Sequence, residues 1–335
     1  MIYIDTGSTD AAYNFAVEEH IAGKLHNDGQ VWMIWRAEKC VMLGRNQVAE
    51  AEVDLHAADE NQIGVVRRSS GGGAIYTDSK TVQYSMITKY SKFEGVRDIF
   101  RNNLGERIVL ALRHMGVPAE WTSRNDIYAE GSKISGAAMY ILRDRVCCHG
   151  SLLYDTDLSV MDKVLRSDGE KIRTKALRSI GASVTTVKKY CDAELTICDF
   201  IIMLKNELMP DKRCVHEYSL TDADKADIDN IRIAKYADPE WTYGRAPRFT
   251  FHNRIRFPGG KLEVFLDIDK GVIKNCAFTG DFLSVRPAAD FAALLDGVPY
   301  QYEKITQKLR HIDIAPYLGG ITKEQLLSCL FNAKQ

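Results

Sequence analysis

Hydrophobic residues along the chain follow two spacings, one typical of helices and one typical of strands. Residues 96–115 carry eight apolar side chains at helical spacing, and Gly116 and Pro118 follow them as a stop signal. Short apolar runs such as Val31–Trp35 and Val82–Ile87 lie between turn-forming or charged residues, which predicts strands. The chain is therefore expected to combine helices and strands.

A change of pattern near residue 240 predicts a domain boundary. Residues 238–247 contain two prolines and one glycine, so extended or turn backbone is favoured there. Apolar and charged residues then alternate over 261–269, and residues 287–335 return to helical spacing. We predict an α+β fold class (mixed α/β), with a large domain of mixed sheets and helices over 1–245 and a small C-terminal α+β domain over 246–335.

Composition restricts the functional classes. The chain has 44 Lys+Arg and 45 Asp+Glu, so its net charge of −1 gives no general attraction to nucleic acid, and any anion site must be local. A content of 45% hydrophobic and 27% charged residues excludes the disordered and fibrous classes. No run approaches the ~18 apolar residues of a membrane span. Eight cysteines without a CxxC pair, and acidic residues near the N-terminus, predict a cytoplasmic protein with reduced thiols.

The densest chemical signal is the segment Arg67-Arg68-Ser69-Ser70-Gly71-Gly72-Gly73-Ala74. Consecutive glycines leave backbone N–H groups uncovered, so a phosphate or carboxylate can approach them, and the arginines and serines add donors. The segment matches neither a Walker loop nor a GxGxxG dinucleotide fingerprint. The alternative is a flexible hairpin turn beside two surface arginines.

A second signal lies at a predicted hairpin formed by Lys133–Leu142 and Val146–Tyr154. Lys133 stands among small residues, which leave room for a ligand, and its ammonium can neutralise charge on a phosphoryl or acyl phosphate group. Asp126, shortly before it, can hold Mg²⁺ through its carboxylate. The alternative is a turn at Asn125-Asp126 and a solvated strand lysine.

A third signal is Cys147-Cys148-His149-Gly150 in the second strand of that hairpin. Successive strand residues point to opposite faces, so Cys148 and His149 are not expected to form a nucleophilic pair. Buried cysteines mostly behave as small hydrophobic residues, and we predict that role for both thiols. His149 is either a satisfied interior histidine or part of a site, because Gly150 indicates a close approach to the backbone.

Together these segments resemble the lipoate–protein ligase A family. The motifs, in chain order, are Gly44-Arg45-Asn46-Gln47, the run from Arg67 to Tyr76, Asn125-Asp126-Ile127, Lys133-Ile134-Ser135-Gly136 and His149-Gly150-Ser151-Leu152-Leu153. Ser179-Ile180, Trp241-Thr242-Tyr243-Gly244 and Pro247-Arg248-Phe249 extend the resemblance to nearly the whole chain. The glycine and lysine motifs are shared with octanoyl transferases and, more loosely, with biotin ligases.

The resemblance implies a biotin/lipoate-ligase-like catalytic domain and a two-step reaction. Lipoate would attack the α-phosphate of ATP, with Mg²⁺, to give lipoyl-AMP and pyrophosphate, and the lipoyl group would pass to a lysine of a lipoyl carrier domain. The implied partners are dehydrogenase E2 subunits and the glycine-cleavage H protein, with no nucleic acid and no membrane. The charged segment 163–178 would close over the acyl adenylate and exclude water.

The resemblance also implies roles for individual residues. Lys133 matches the catalytic lysine that contacts both the carboxylate and the nucleotide phosphate, and Asp126 lies at the phosphate–metal position. The implied ATP-binding residues are Arg68, Gly73, Ala74, Ile75, Tyr76 and Lys133, and the implied lipoate-binding residues are Lys133, Gly72 and His149.

The chain departs from the family pattern in one segment, and two alternative functions are considered. The family usually continues the glycine loop with His-Asp-x-Gly-Asn, whereas this chain reads Thr77-Asp78-Ser79-Lys80-Thr81, which allows an altered acyl donor or rate. The first alternative is an ATP-independent octanoyl or lipoyl transferase that relays the acyl group through a thioester on Cys147 or Cys148. The second is a non-catalytic lipoyl- or carrier-binding module, which retention of Lys133 with the glycine loop disfavours.

Overall fold

The computed structural model describes residues 1–24, 29–91, 95–122, 125–166, 183–244, 251–269 and 271–331. Three predicted features lie partly or wholly outside these residues: the closing segment 163–178 from residue 167 onward, Ser179-Ile180, and Pro247-Arg248-Phe249. The predicted domain boundary between 245 and 246 also lies there and stays a prediction.

The strands alternate with helices along the described chain. They are β1 (Ile2–Tyr3), β2 (Val31–Arg36), β3 (Cys40–Leu43), β4 (Gly64–Arg67), β5 (Ile75–Thr77), β6 (Thr81–Lys89), β7 (Ala119–Trp121), β8 (Asp126–Ala129), β9 (Ser132–Leu142), β10 (Arg145–Leu153), β11 (Ser183–Val184), β12 (His216–Glu217), β13 (Phe251–Phe257), β14 (Gly260–Asp269) and β15 (Val272–Gly280). The predicted strands Val31–Trp35 and Val82–Ile87 are confirmed as β2 and β6, each slightly longer than predicted.

The helices are mostly short. They are α1 (Ala11–Lys24), α2 (Ala49–Glu52), α3 (Leu55–Glu60), α4 (Val96–Asp98), α5 (Glu106–His114), α6 (Leu158–Val164), α7 (Ile197–Leu208), α8 (Asp222–Ile231), α9 (Pro239–Tyr243), α10 (Ala288–Ala292), α11 (Tyr302–Leu309), α12 (Ala315–Leu318) and α13 (Lys323–Phe331). Segments of π-helix join α4 to α5 (Ile99–Gly105) and continue α8 (Arg232–Tyr236). The helix predicted over 96–115 is therefore present with a π-helical middle. Among the described residues, none of the helices combines the length and apolar character needed to cross a membrane.

The chain divides into two compact units. The first comprises Met1–Met42, Val53–Val66 and Ile75–Asp238, and the second comprises Leu43–Glu52, Arg67–Ala74 and Pro239–Gln335.

The first unit is built on a nine-stranded sheet. Its strand order is β12-β1-β2-β6-β10-β9-β8-β7, with β11 pairing beside β9. The neighbours from β2 to β8 are antiparallel, and β9 and β10 form the predicted hairpin. Arg143, in the hairpin turn, has a φ of 55°, in the left-handed region that such turns require. Strands β4, β3 and β5 form a separate three-stranded sheet.

The core of the first unit lies between this sheet and the helices that cover it. In the predicted 96–115 helix, the side chains that recur every four residues are buried together, namely Phe100, Leu104, Ile108 and Leu112. Helix α1 begins after Asp10, whose Oδ1 accepts the Ala12 N–H at 2.8 Å, and it packs against β6 and β10. This packing places Glu18 over the middle of the sheet.

The second unit contains the antiparallel meander β13-β14-β15 and the C-terminal helices. The strand predicted over 261–269 is confirmed, and Leu262, Val264 and Leu266 of β14 are fully buried. Lys261 and Glu263, which alternate with them, are buried too, so the charged face of this strand is not exposed at its start. Phe278, Phe291 and the residues of α11 and α13 complete this core.

Candidate active site

Lys133 and Asp126 form an ion pair on two adjacent strands. Lys133 Nζ lies 2.8 Å from Asp126 Oδ1, and the two side chains are 33% and 19% exposed. A β-bulge makes the contact possible: the register pairs Asp126 with Gly136 but then Tyr128 with Lys133, so Ile134 is an extra residue in β9. Strict alternation would place Lys133 and Gly136 on opposite faces, and the bulge returns Lys133 to the face that carries Asp126. The ammonium is thus oriented and still accessible to a ligand.

The strand next to this pair requires a glycine at position 150. A β-carbon on Gly150 would collide with the hydroxyl of Tyr84, which hydrogen-bonds Ser135 Oγ at 2.9 Å. The close approach predicted from Gly150 is therefore confirmed, and the approaching group is a tyrosine side chain. Burial raises the pKa of Tyr84, so its hydroxyl is neutral and free to take part in this hydrogen bond.

His149 is held by a buried carboxylate. Its Nδ1 lies 2.9 Å from Glu18 Oε2 and 3.2 Å from Glu18 Oε1, and Ser85 Oγ donates to the same carboxylate at 2.5 Å. The imidazole is 8% exposed and Glu18 only 1%. The expectation of a satisfied interior histidine therefore holds, because His149 pairs with a buried carboxylate. This pairing fixes the orientation of its ring.

The two cysteines differ in their surroundings. Both are fully buried, and Cys148 belongs to the apolar core as predicted. Cys147 lies on the other face, where its Sγ is 3.5 Å from Glu18 Oε2. The prediction that both thiols only fill the apolar core is therefore wrong for Cys147. Successive strand residues point to opposite faces, so Cys147 shares a face with His149 and meets the same carboxylate.

In the second unit, the two arginines before the glycine run are buried rather than on the surface. The Arg67 guanidinium donates to five backbone carbonyl oxygens at 2.5–3.2 Å, those of Gly44, Arg45, Gln47, Trp241 and Thr242. The Arg68 guanidinium bonds Ser70 Oγ at 3.0 Å and the carbonyl oxygens of Gly71 and Gly73 at 2.8 Å. The alternative of two surface arginines is therefore wrong.

The three glycines serve two different purposes. The Gly72 N–H donates to the Phe282 carbonyl at 3.2 Å, and Gly72 has a φ of 91°. A β-carbon on Gly71 would lie 2.7 Å from the Ser284 nitrogen, so packing against the backbone of 282–284 requires glycine at 71, whereas the positive φ requires it at 72. Gly73 is exposed and has only an ordinary contact nearby, so the uncovered backbone predicted for anion binding begins there.

The Gly44-Arg45-Asn46-Gln47 segment forms a buried turn in the same unit. Gln47 Oε1 accepts the Gly44 N–H at 2.8 Å, and the Arg45 N–H donates to the Ser70 carbonyl at 2.8 Å. Asn46 Nδ2 donates to Ser284 Oγ at 2.8 Å. The segment is therefore a turn that holds the glycine run in place.

Two protein-family models match this chain. The family model of the lipoyl protein ligase A/B catalytic domain matches residues 10–209, and that of the bacterial lipoate protein ligase C-terminus matches residues 246–330. The chain belongs to the lipoate–protein ligase family. The resemblance drawn from the motifs is thereby confirmed.

Similar proteins align with nearly the whole length of this ligase. Lipoate-protein ligase LplJ of Bacillus subtilis is 33% identical over 99% of this chain and 100% of its own. Among solved structures, P. falciparum LipL1 in complex with lipoate has a TM-score of 0.77 at 21% identity, covering 93% of this chain and 94% of its own. A lipoate-protein ligase A bound with ATP has a TM-score of 0.61 at 24% identity, covering 73% and 97%. These similarities confirm the predicted α+β fold class.

The segment in which the ligase departs from its family pattern is a well-ordered turn. Asp78 Oδ1 accepts the Lys80 N–H at 2.9 Å and the Thr81 hydroxyl at 3.1 Å, and Asp78 Oδ2 accepts the Asp157 N–H at 3.0 Å. No residue of 77–81 has a positive φ. The turn therefore needs no glycine, and a carboxylate organises it instead.

Tyr76, in the strand before this turn, is buried and its hydroxyl has no hydrogen-bond partner among the described residues. Burial raises its pKa to about 12, with Asp78 and Asp157 adding to the effect. Ala74 and Ile75, which precede it, are half-buried, so the backbone of the predicted nucleotide-binding stretch stays partly accessible.

Several residues that contact the candidate site residues were not predicted. Glu18, Ser85 and Tyr84 come from a helix and a strand that carry no recognisable motif. One signal was available: Cys147 and His149 are two residues apart on a predicted strand, so they had to share a face. The carboxylate that they meet belongs to α1 and could not be assigned to them from the sequence.

Proposed function

We propose that this chain activates lipoate with ATP and transfers the lipoyl group to a lysine of a lipoyl carrier domain. The observation that carries the proposal is the Lys133–Asp126 pair, an accessible ammonium fixed beside the small residues of its motif in a member of the lipoate–protein ligase family. ATP and lipoate are the substrates, and the enzyme is an AMP-forming ligase.

The first step requires stabilisation of negative charge. A carboxylate oxygen of lipoate attacks the α-phosphorus of ATP, a new P–O bond forms, and the bond to the leaving pyrophosphate breaks. Lys133 is the catalytic residue, because its ammonium can contact the carboxylate and the phosphate at once, and one such donor contributes about 3–4 kcal/mol to the transition state. Asp126 restrains the ammonium, which limits the entropy lost when the substrates bind.

The second step forms the amide. The carrier lysine attacks the acyl carbon of lipoyl-AMP, the C–N bond forms, AMP leaves, and the amine loses a proton to solvent. The first step benefits when the acid and the nucleotide are held side by side, because an encounter of two solutes becomes effectively unimolecular.

Asp126 is also the proposed Mg²⁺ position. It offers a single carboxylate, and its Oδ1 faces Lys133. Such a donor set fits Mg²⁺, which commonly takes one or two carboxylates and completes its coordination with water and substrate phosphates. When bound, the ion would neutralise charge on the phosphates of ATP.

The family motifs also assign residues that bind ATP and residues that bind lipoate. We assign ATP binding to Arg68, Gly73, Ala74, Ile75 and Tyr76 in addition to Lys133, and lipoate binding to Gly72 and His149 in addition to Lys133. The exposed backbone at Gly73 and the fixed imidazole of His149 support these roles. The domains are proposed as 1–245 and 246–335.

The proposed partners are the E2 subunits of dehydrogenases and the glycine-cleavage H protein, since the family attaches lipoate to proteins. The proposed compartment is the cytoplasm, because all eight cysteines are free thiols.

The thioester relay finds no support in the thiols. Cys147 and Cys148 are fully buried, and burial, with the Glu18 carboxylate adding to it, raises the pKa of both well above the ordinary value. A relay nucleophile needs an accessible thiolate near neutral pH.

The test is incubation of the pure protein with lipoate, Mg·ATP and apo lipoyl domains, read by intact mass and by pyrophosphate exchange. We expect ATP-dependent lipoylation, and a loss of at least about 100-fold in pyrophosphate exchange for Lys133→Ala. Lys225→Ala is the matched control, because Lys225 also pairs with an aspartate but on the surface. The proposal fails if lipoate and ATP release no pyrophosphate, or if Lys133→Ala keeps full activity.

A further inference from the structure

A polar cluster lies between α1 and the central sheet, inside the first unit. On β10, Cys147 and His149 point to the same face, two residues apart. Cross-strand neighbours extend that face, because Tyr140 of β9 lies opposite Cys147 and Ser85 of β6 lies opposite His149. Glu18 of α1 covers this face. We refer to these five residues as the Glu18 cluster.

Three members of the Glu18 cluster carry metal-binding atoms that converge. One carboxylate oxygen of Glu18, Cys147 Sγ and one ring nitrogen of His149 all lie within 4.8 Å of one another. Ligands of a tetrahedral zinc ion, at about 2.3 Å for sulfur and about 2.0–2.2 Å for nitrogen and oxygen, are separated by roughly 3.3–3.6 Å. Glu18 Oε2 lies 3.5 Å from Cys147 Sγ and 2.9 Å from His149 Nδ1, so the first separation already fits and the second is a few tenths of an ångström short. Small side-chain movements would complete the geometry.

Tyr140 supplies an independent observation. Its side chain is 2% exposed, and its hydroxyl forms no hydrogen bond of acceptable geometry although it lies beside the Cys147 thiol. A buried hydroxyl without a hydrogen-bond partner destabilises the folded state. A thiolate at position 147 would accept the Tyr140 O–H, and hydrogen bonds of this kind commonly surround metal-bound ligands.

We propose that Glu18, Cys147 and His149 bind one Zn²⁺ ion within the first unit, with Tyr140 donating to the Cys147 thiolate. The Glu18 carboxylate and the Cys147 thiolate carry two negative charges, so Zn²⁺ makes the buried site neutral, which removes the cost of burying an uncompensated carboxylate. Hard cations such as Mg²⁺ and Ca²⁺ do not suit a thiolate and an imidazole, whereas Zn²⁺ takes both. The fourth coordination position remains available to a small ligand.

The metal-free cluster is consistent with this ligand set. Without a cation, the Cys147 thiol donates to Glu18 Oε2 at 3.5 Å. Binding of Zn²⁺ would release that proton to solvent. The proposal does not rest on the ligase activity, because it is argued from the three converging ligand atoms and is tested without lipoate or ATP.

The experiment uses the full-length chain with the two exposed thiols removed, as Cys198→Ser/Cys214→Ser, so that surface cysteines do not bind metal. After treatment with a chelator, the protein is titrated with Zn²⁺ against a chromophoric competitor, without lipoate or ATP. We expect one tightly bound Zn²⁺ per chain. Co²⁺ in place of Zn²⁺ is expected to give a thiolate-to-metal charge-transfer band.

Cys147→Ser and Cys148→Ser are matched variants, because both positions are fully buried and adjacent but face opposite sides. We expect Cys147→Ser to weaken Zn²⁺ binding at least 100-fold and Cys148→Ser to change it less than threefold, with circular dichroism confirming the fold. Absence of stoichiometric Zn²⁺, or equal losses in both variants, would overturn the proposal. Should Cys147→Ser not fold, the cobalt spectrum of the unsubstituted cluster decides: absence of the charge-transfer band excludes the site.

Discussion

Gly136 leaves open the space that the Lys133 ammonium occupies. A β-carbon at Gly136 would lie 3.1 Å from Lys133 Nζ, 3.3 Å from Lys133 Cε and 3.4 Å from Asp126 Oδ1. The first two distances are tighter than ordinary van der Waals contact. The glycine of the Lys133-Ile134-Ser135-Gly136 motif is thus explained by the ion pair that its strand carries, since Gly136 is not in the left-handed region.

We predict that Gly136→Ala slows adenylate formation without unfolding the protein. The new methyl group meets the ends of two flexible side chains, so these would shift by a few tenths of an ångström while the backbone stays in place. Displacement of a catalytic group on this scale costs roughly 10-fold to 100-fold in rate. Pyrophosphate exchange measures the rate, and thermal unfolding measures the stability.

Gly23→Ala is the control for this variant. Gly23 lies in α1, and its β-carbon would make an ordinary 3.7 Å contact with Leu142. Alanine in a helix is more stable than glycine by about 0.5–1 kcal/mol, so we expect unchanged exchange and slightly higher stability. Equal exchange rates for Gly136→Ala and the unsubstituted enzyme would contradict the steric argument.

We predict that Arg67→Ala destabilises the second unit by at least about 3 kcal/mol. The substitution leaves five carbonyl oxygens without their donor, and each buried unsatisfied acceptor costs about 1–3 kcal/mol. Arg67→Lys should recover only part of this loss, because an ammonium lacks the planar fork that reaches separate carbonyls. Denaturant unfolding measures the effect.

Arg213→Ala provides the comparison, since Arg213 is 91% exposed and pairs with Asp211 on the surface. We expect the midpoint of unfolding to stay unchanged for it. If Arg67→Ala unfolded at the same denaturant concentration as Arg213→Ala, the carbonyl contacts would not be what stabilises the buried turn.

The elements of the fold were predictable where periodicity reports burial. Over 96–115 the apolar side chains recur every three or four residues, and six of the eight are buried together in the first core. The hairpin of β9 and β10 was equally visible, because a charged triplet separates two apolar runs. The π-helical segment Ile99–Gly105 was not, since the same spacing fits an unbroken α-helix.

The contacts within the candidate site could not be predicted from the sequence. The alternation rule places Lys133 and Gly136 on opposite faces, and only the bulge at Ile134 brings Lys133 to Asp126. The burial of Arg67 depends on carbonyl groups as distant in sequence as Trp241, 174 residues away. Contacts of that separation leave no local pattern in a single sequence.

We predict that Cys148→Ala keeps ligation within twofold of the original rate. Cys148 is fully buried in the apolar core, so the substitution removes only a small volume and should cost about 1 kcal/mol of stability. Lipoylation of an apo carrier domain, followed by intact mass, measures the activity. Cys198→Ala, at an exposed thiol, is the control. Loss of ligation in folded Cys148→Ala would favour the thioester relay.

The pH dependence of stability should report on Asp224 at the start of α8. Its carboxylate accepts hydrogen bonds from His20 Nε2 at 2.8 Å, Tyr218 Oη at 2.7 Å, Thr221 Oγ1 at 2.7 Å and the Thr221 N–H at 2.9 Å. Partial burial acts to raise the pKa of Asp224, but the hydrogen bonds from Thr221, Tyr218 and His20 outweigh it and hold the pKa well below the ordinary value.

Because the folded-state pKa is depressed, the stabilisation by Asp224 is fully present above the unfolded-state pKa of about 3.9 and is lost as the pH falls below it. We predict that Asp224→Asn is less stable than the original chain by about 1–2 kcal/mol at pH 7, and that the difference shrinks as the pH falls from 4 to 3. Urea unfolding across this range measures both values. Asp222→Asn, at a fully exposed neighbour, should show no such dependence. A difference for Asp224→Asn that stayed constant down to pH 3 would show that its carboxylate is not held in the charged form by these contacts.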